Sequence, residues 1–252
     1  MYKILAKTLF LAKRVISMPT CHSSNDTAQL LAQKPDTAEG TVIICEEQSK
    51  GKGQRGNTWE STAGKNLTLS VILQPKFLKI KDQFSLNMVS SLAVGATVSH
   101  YVPAATVKVK WPNDVLVNDK KIAGILIENS LAGQSIESAI VGIGLNVNQA
   151  SFQAPRATSL RLQAGVDLEL NQVFETLMCQ LEKYYLMLKG GRQAEVKTEY
   201  LTHLYGYQET RKFLTEYRFE GRIEDVTDSG LLVVRGPHGR QQYDLKEITF
   251  LY

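Results

Sequence analysis

KVKWPNDVLVNDKKIAGILIE, residues 108–128, is the stretch on which the reading of this chain turns. Its apolar residues predict two strands, together covering residues 107–128 and joined through the polar turn Asn118-Asp119-Lys120. Pro112 has no N–H for a ladder, and Asn113 and Asp114 offer side-chain hydrogen bonds, so the first strand is interrupted where polar groups gather. Lys121 heads a strand that is otherwise apolar, which puts an ammonium beside the core, where its attraction for an anion exceeds that in bulk water. Taken alone, the same residues also fit a hairpin with solvated lysines.

Outward from this stretch, elements alternate. Residues 41–46 and 67–73 read as strands, residues 26–34 as a short helix capped by Ser24 or Asn25, and residues 85–102 as a helix with Leu86, Val89, Leu92, Val94 and Val98 at helical steps. Residues 136–146 form another apolar strand. Residues 171–188 carry the clearest amphipathic stripe, which ends at Gly190-Gly191 and predicts core packing without chemistry. After Tyr207 short β-rich pieces at 213–217, 219–225, 231–234 and 242–245 are separated by turn residues, the spacing of a small antiparallel barrel. The expected division is therefore residues 1–206 and 207–252.

Composition bounds the function. A chain of 252 residues, 43% hydrophobic and 21% charged, can bury a large core without disulfides. Cys21, Cys45 and Cys179 are too scattered for a disulfide framework or a zinc site, which favours a reducing, cytoplasmic setting. No apolar run reaches the ~20 residues of a membrane span. Lys3, Lys7, Lys13 and Arg14 give the N-terminus a basic character, but Lys7 interrupts its apolar run and no cleavage pattern follows, so a short strand or loop is expected there. The net charge of +4 is too small for coating nucleic acid and suits an anionic ligand; the tail carries seven basic and eight acidic residues, so the excess lies before residue 207.

Two further segments carry chemistry. Gly51-Lys52-Gly53-Gln54-Arg55-Gly56-Asn57-Thr58-Trp59 combines close backbone approach with cationic donors, yet matches neither a P-loop nor a dinucleotide fingerprint. Gly142-Ile143-Gly144-Leu145-Asn146 places glycines inside an apolar strand, which marks close approach of a ligand or of packing neighbours, and Asn146 has a donor and an acceptor for a heterocycle edge.

Together with His22-Ser23-Ser24-Asn25, Lys110-Trp111-Pro112-Asn113-Asp114, Lys121-Ile122-Ala123-Gly124 and Ala157-Thr158-Ser159-Leu160, these segments resemble the biotin protein ligases, also called biotin–acetyl-CoA-carboxylase ligases. The similarity covers nearly the whole chain. It implies an α+β fold, a mixed sheet backed by helices akin to class II tRNA synthetases, with a C-terminal SH3-type β-barrel. It also implies a reaction in which biotin and MgATP give biotinyl-5′-adenylate and pyrophosphate, after which a lysine of a biotin carboxyl carrier protein takes the biotinyl group.

By matched position, the resemblance implies biotin contacts at Ser23, Ser24, Asn25, Gln48, Gly51, Lys52, Gly53 and Gly124. Gln54, Arg55, Gly56, Trp59, Asn113 and Asn146 fall on the adenylate side, with residues 148–158 as an adenine-side loop, and residues 51–59 resemble a lid over the adenylate. Lys121, Lys110 and Asp114 take the catalytic roles. Lys121 holds the biotin carboxylate and phosphoryl oxygen, and Asp114 orients and deprotonates the acceptor amine. The sequence assigns no ligands to magnesium and leaves a homodimer open; neither nucleic acid nor membrane is expected as a partner.

Two departures stand out. The family's lid often carries arginine where this chain has Lys52 and Gln54, which removes a guanidinium fork suited to phosphate. Only about twenty residues precede Ser23, and no DNA-binding helix pair of the kind some relatives carry fits there, which is the pattern of a monofunctional type. A lipoate or octanoate protein ligase is the nearest alternative, disfavoured by the glycine-rich lid and by Trp111-Pro112.

Overall fold

The computed structural model of the chain describes Tyr2 and residues 5–251. Seven strands, β1 (Val15–Cys21), β2 (Val42–Gln48), β3 (Leu67–Leu73), β4 (Val107–Lys110), β5 (Asp114–Val117), β6 (Lys120–Ala132) and β7 (Ser135–Leu145), form one mixed sheet in the order β1-β2-β3-β7-β6-β5-β4. β1 runs parallel to β2, and the other neighbours are antiparallel. Pro19 is tolerated because β1 is an edge strand, where a missing N–H costs no ladder bond.

β3 is buried along its whole length because helices cover both of its faces. Ile72 joins Ala28 of α1 (Ser24–Ala32), with Ile43 and Ile140, in a small cluster on one face. Leu67, Leu69, Val71 and Leu73 join the main core with α2 (Ser85–Tyr101) and α4 (Leu170–Lys189). Each fully buried aliphatic side chain contributes about 1.5–3 kcal/mol, so a one-residue slip, which would turn Thr68 and Ser70 into the main core, is opposed by this alternation.

A second, antiparallel sheet in the order β11-β10-β9-β8-β12 is built from β8 (Thr210–Leu214), β9 (Arg218–Val226), β10 (Leu232–Gly236), β11 (Gly239–Tyr243) and β12 (Thr249–Leu251). One hydrophobic cluster runs from Leu11 through both sheets to Phe250. Trp111 stitches them together: it is 3% exposed, and its indole Nε1 donates to the Gly230 carbonyl in the β9–β10 turn at 2.8 Å.

The mixed sheet backed by helices and the small C-terminal antiparallel sheet follow the expected architecture. Several local readings are corrected. Residues 107–128 form three strands rather than two, because Trp111-Pro112-Asn113 turns the chain fully between β4 and β5. The second turn, at Asn118-Asp119, has φ of 47° and 61°, the left-handed pair of a tight hairpin. α1 starts two residues earlier than expected, with Ser23 at its cap and Ser24 already helical. Helix α5 (Gln193–His203) was not expected, because it buries only Val196 and Tyr200, too few positions for a periodic stripe. β11 lies three residues ahead of its expected start, and the short β12 was not foreseen. α3 (Leu160–Ala164) ends at Gly165 with φ of 77°, a left-handed cap.

The basic N-terminus packs into the protein. Lys3 lies outside the described residues, but Leu11 and Ala12 are fully buried. The Glu182 carboxylate on α4 accepts the backbone N–H groups of Leu9, Phe10 and Leu11 at 2.7, 2.8 and 3.0 Å.

Candidate active site

The open ends of β3, β7, β6 and β5, the hairpin after β2 and the loop before β12 enclose a cleft of roughly 400 Å³. Most of the residues singled out from the sequence meet there. Ser23, Ser24, Asn25 and Gln48 line one end, Lys52, Gly53, Gln54 and Trp59 the hairpin side, and Lys110, Asn113, Asp114, Lys121 and Gly124 the sheet side. Gly51, Gly56 and Asn146 do not line it, and the Arg55 side chain lies outside what the structure describes.

The glycine-rich segment is a compact hairpin. Trp59 N–H donates to the Gly51 carbonyl at 3.0 Å, Gly53 N–H to Asn57 at 2.7 Å, and Lys52 bridges Thr58. Gln54–Gly56 make one 3₁₀ turn, closed by Gly56 at φ 86°, where L side chains are strained. Lys52 is paired with Asp26 of α1, and its pKa is raised chiefly by that hydrogen bond. The hairpin is thereby tied to the start of α1.

Trp59 explains two of the strand glycines. Gly124 and Gly144 face each other across β6 and β7. A Cβ on Gly144 would lie 2.3 Å from the indole, and one on Gly124 would lie 2.9 Å from it. These glycines are a floor for the ring. Indole Nε1 is inaccessible and has no hydrogen-bond partner among the described residues. Gly142 instead makes room for Asn25, whose Oδ1 would sit 2.3 Å from a Cβ there.

On the sheet side Lys121 Nζ is 2.7 Å from Asp114 Oδ1 and 5.5 Å from the centre of the Trp59 ring. This contact exists because the bulge between Val115 and Leu116 brings Asp114 opposite Gly124 while Leu116 pairs with Lys121. Lys110 Nζ lies 5.4 Å over the ring of Phe250, from the second sheet. Asn113 donates its amide to the Ile125 carbonyl at 2.7 Å. Asn146 is 3% exposed and donates to the Thr158 carbonyl at 3.0 Å, while its Oδ1 has no partner among the described residues. That orphan acceptor belongs to the segment that meets the 148–158 loop.

Residues that the sequence did not flag also line the cleft. Thr68 and Leu69 sit on β3, where apolar alternation concealed them, Lys246 and Ile248 come from the loop before β12, and Thr249 and Phe250 from β12 itself. Lys246 has φ of 82°, a conformation with no signal in a lysine. Among the described residues no group of three or more His, Cys, Asp or Glu is placed to hold a metal ion. No described helix is long and apolar enough to cross a membrane.

Residues 18–146 match the family model described as the biotin/lipoate A/B protein ligase family. The chain is 30% identical over 242 residues to a bifunctional ligase/repressor BirA of Bacillus spizizenii, an alignment covering 92% of this chain and 73% of that protein. It is 29% identical to a biotin–[acetyl-CoA-carboxylase] ligase of Paracoccus denitrificans, over 90% of this chain and 98% of that one. The structure of biotin protein ligase from Aquifex aeolicus in complex with biotin and ATP superposes with a TM-score of 0.79 at 25% identity, covering 95% of this chain and 99% of the other. On this sequence match and this shared architecture, the chain belongs to the biotin/lipoate A/B protein ligase family.

Proposed function

We propose that the cleft joins the carboxylate of biotin to the α-phosphate of ATP and then passes the biotinyl group to a lysine of a biotin carboxyl carrier protein. The chain is an ATP-dependent biotin ligase acting on biotin-carrying proteins. The observation that carries the residue roles is the Lys121–Asp114 pair at the foot of the glycine-rich hairpin. Two anions must meet at one phosphorus, so fixed positive charge is required where negative charge gathers. Lys121 supplies it, with Lys110 across the cleft. Magnesium enters with the nucleotide as MgATP.

In the second step an ammonium with an ordinary pKa of about 10.4 must lose a proton before it attacks. Asp114 orients that amine and takes the proton, and Lys121 balances the aspartate charge. Trp59 and the 51–59 hairpin cover the mixed anhydride and keep water from it. Ser23, Ser24 and Gln48 hold the biotin rings, with Gly51, Lys52, Gly53 and Gly124 beside them, while Gln54, Arg55, Gly56, Asn113 and Asn146 serve the adenylate. Residues 1–206 form the catalytic domain and residues 207–252 a barrel that closes one end of the cleft.

Incubating the protein with biotin, MgATP and a biotin-carrier domain and probing for protein-bound biotin tests this reading. Labelling that requires both small molecules is expected. Thermal melting separates the family's two chemistries: biotin with MgATP raises the melting temperature and lipoate does not. Stabilisation by lipoate alone would overturn the assignment.

A further inference from the structure

Beneath Ser24 lies a row of hydrogen bonds whose direction is set from one end. The Glu128 carboxylate and the Leu126 carbonyl can only accept, and both face the same atom of the Asn25 amide, at 2.6 and 3.3 Å. That atom is therefore Nδ2, and Oδ1 points the other way, 2.6 Å from Ser70 Oγ. Oδ1 has no proton, so Ser70 donates to it. Ser70 is fully buried, has one hydroxyl proton, and lies 2.7 Å from Ser24 Oγ. With its proton committed to Asn25, Ser70 can only accept from Ser24.

The Ser24 backbone N–H is already held by Gln48 Oε1 at 2.7 Å. What Ser24 Oγ turns toward the cleft is lone pairs alone. Strand register assembles the row: Ser70, Gly142 and Leu126 are direct neighbours across β3, β7 and β6, and the missing side chain at Gly142 admits Asn25 between them. Ser24 and Asn25 line the cleft, whereas Ser70 and Glu128 are not among its lining residues.

We infer that Glu128, Asn25 and Ser70 form a polarity relay that makes Ser24 an obligate hydrogen-bond acceptor, so the ring held there must present an N–H. This rests on the biotin reading of the cleft and deepens it: Ser70 and Glu128 are positioning residues for ring selection. A cyclic urea has the required N–H. A dithiolane has none and would leave the Ser24 lone pairs buried without a donor, the situation by which sites built for a polar group reject analogues.

The test compares binding of biotin with binding of the two cyclic carbamates in which one or the other ring N–H is replaced by oxygen, by titration calorimetry. In the natural protein one carbamate is expected to bind about 10²-fold more weakly than biotin. Ser70→Ala frees the Ser24 proton to turn into the cleft, and the preference is expected to shrink about tenfold or more. Glu128→Leu is expected to act the same way, and Glu128→Gln, which keeps an acceptor oxygen, to restore it. A general structural defect would weaken all three ligands alike. Equal binding of biotin and both carbamates by the natural protein would overturn the relay without any variant, even where adenylate formation is intact. A preference unchanged in folded Ser70→Ala and Glu128→Leu would do so too. Failure to bind any of the three rings would overturn the biotin reading and the relay together.

Discussion

Lys121 and Asp114 were assigned separate tasks from the sequence, and the structure places them in one ion pair at 2.7 Å. The two residues are thus coupled, and their variants separate the two half-reactions. Lys121→Ala is expected to slow adenylate formation by about two to three orders of magnitude, the scale of losing one charge-stabilising donor; pyrophosphate release measures it, and an unchanged rate would remove Lys121 from the site. Asp114→Asn is expected to impair transfer more than adenylation, by about 10²–10⁴-fold, because only transfer removes a proton. Supplying preformed biotinyl-adenylate isolates that step, and equal transfer rates would exclude the base role. Lys121 was legible as an ammonium at the head of an apolar strand. Its pairing with Asp114 was not, because the register shift between β5 and β6 that aligns them, with Ile122 of β6 left unpaired, has no local signature.

At the scale of the element, the 51–59 hairpin carries its own consequences. Trp59, at the end of the lid-like segment, is half-buried, with its ring on Gly124 and Gly144. Gly144→Ala is therefore expected to displace the indole and expose Trp59 to a quencher, with Trp111→Phe as background so that Trp59 reports alone. Unaltered quenching would mean that the floor is not what holds the ring. Gln54 lines the cleft at the tip of this hairpin. Replacing a neutral contact by a charge-assisted one is worth about 1–2 kcal/mol, so Gln54→Arg is expected to slow adenylate escape roughly five- to thirty-fold. Stray labelling of an unrelated lysine-rich protein measures that leakage. Labelling unchanged by Gln54→Arg but sharply raised by Arg55→Ala would assign the phosphate to Arg55 alone.

Across the whole molecule, two buried contacts decide how distant segments are held. Glu182 accepts three backbone N–H groups from residues 9–11. Glu182→Ala leaves these without a partner and is expected to destabilise the protein by about 3 kcal/mol, read from urea unfolding; a loss within about 0.5 kcal/mol would show that the segment repacks. The bond from Trp111 to Gly230 does the same for the second sheet, whose Phe250, with Lys246 from the loop before β12, completes the cleft.

Strands β2, β3 and β7, the amphipathic helix α4 and the motif segments could be read from residues alone, because periodicity, proline and glycine act over a few positions. β3 was legible to the residue because five of its seven positions are apolar and the run is bounded by turn-forming residues. Helix α5, with two buried positions, and β12, with three residues, owe their form to what they pack on, so no local pattern announces them. The glycines of β7 showed that something approaches closely. That it is Trp59 at Gly144 and Asn25 at Gly142 depended on register across three strands. The entry of the second sheet into the cleft, and the proton order from Glu128 to Ser24, were decided by tertiary structure alone, because they join groups that are far apart in the chain and adjacent only after folding.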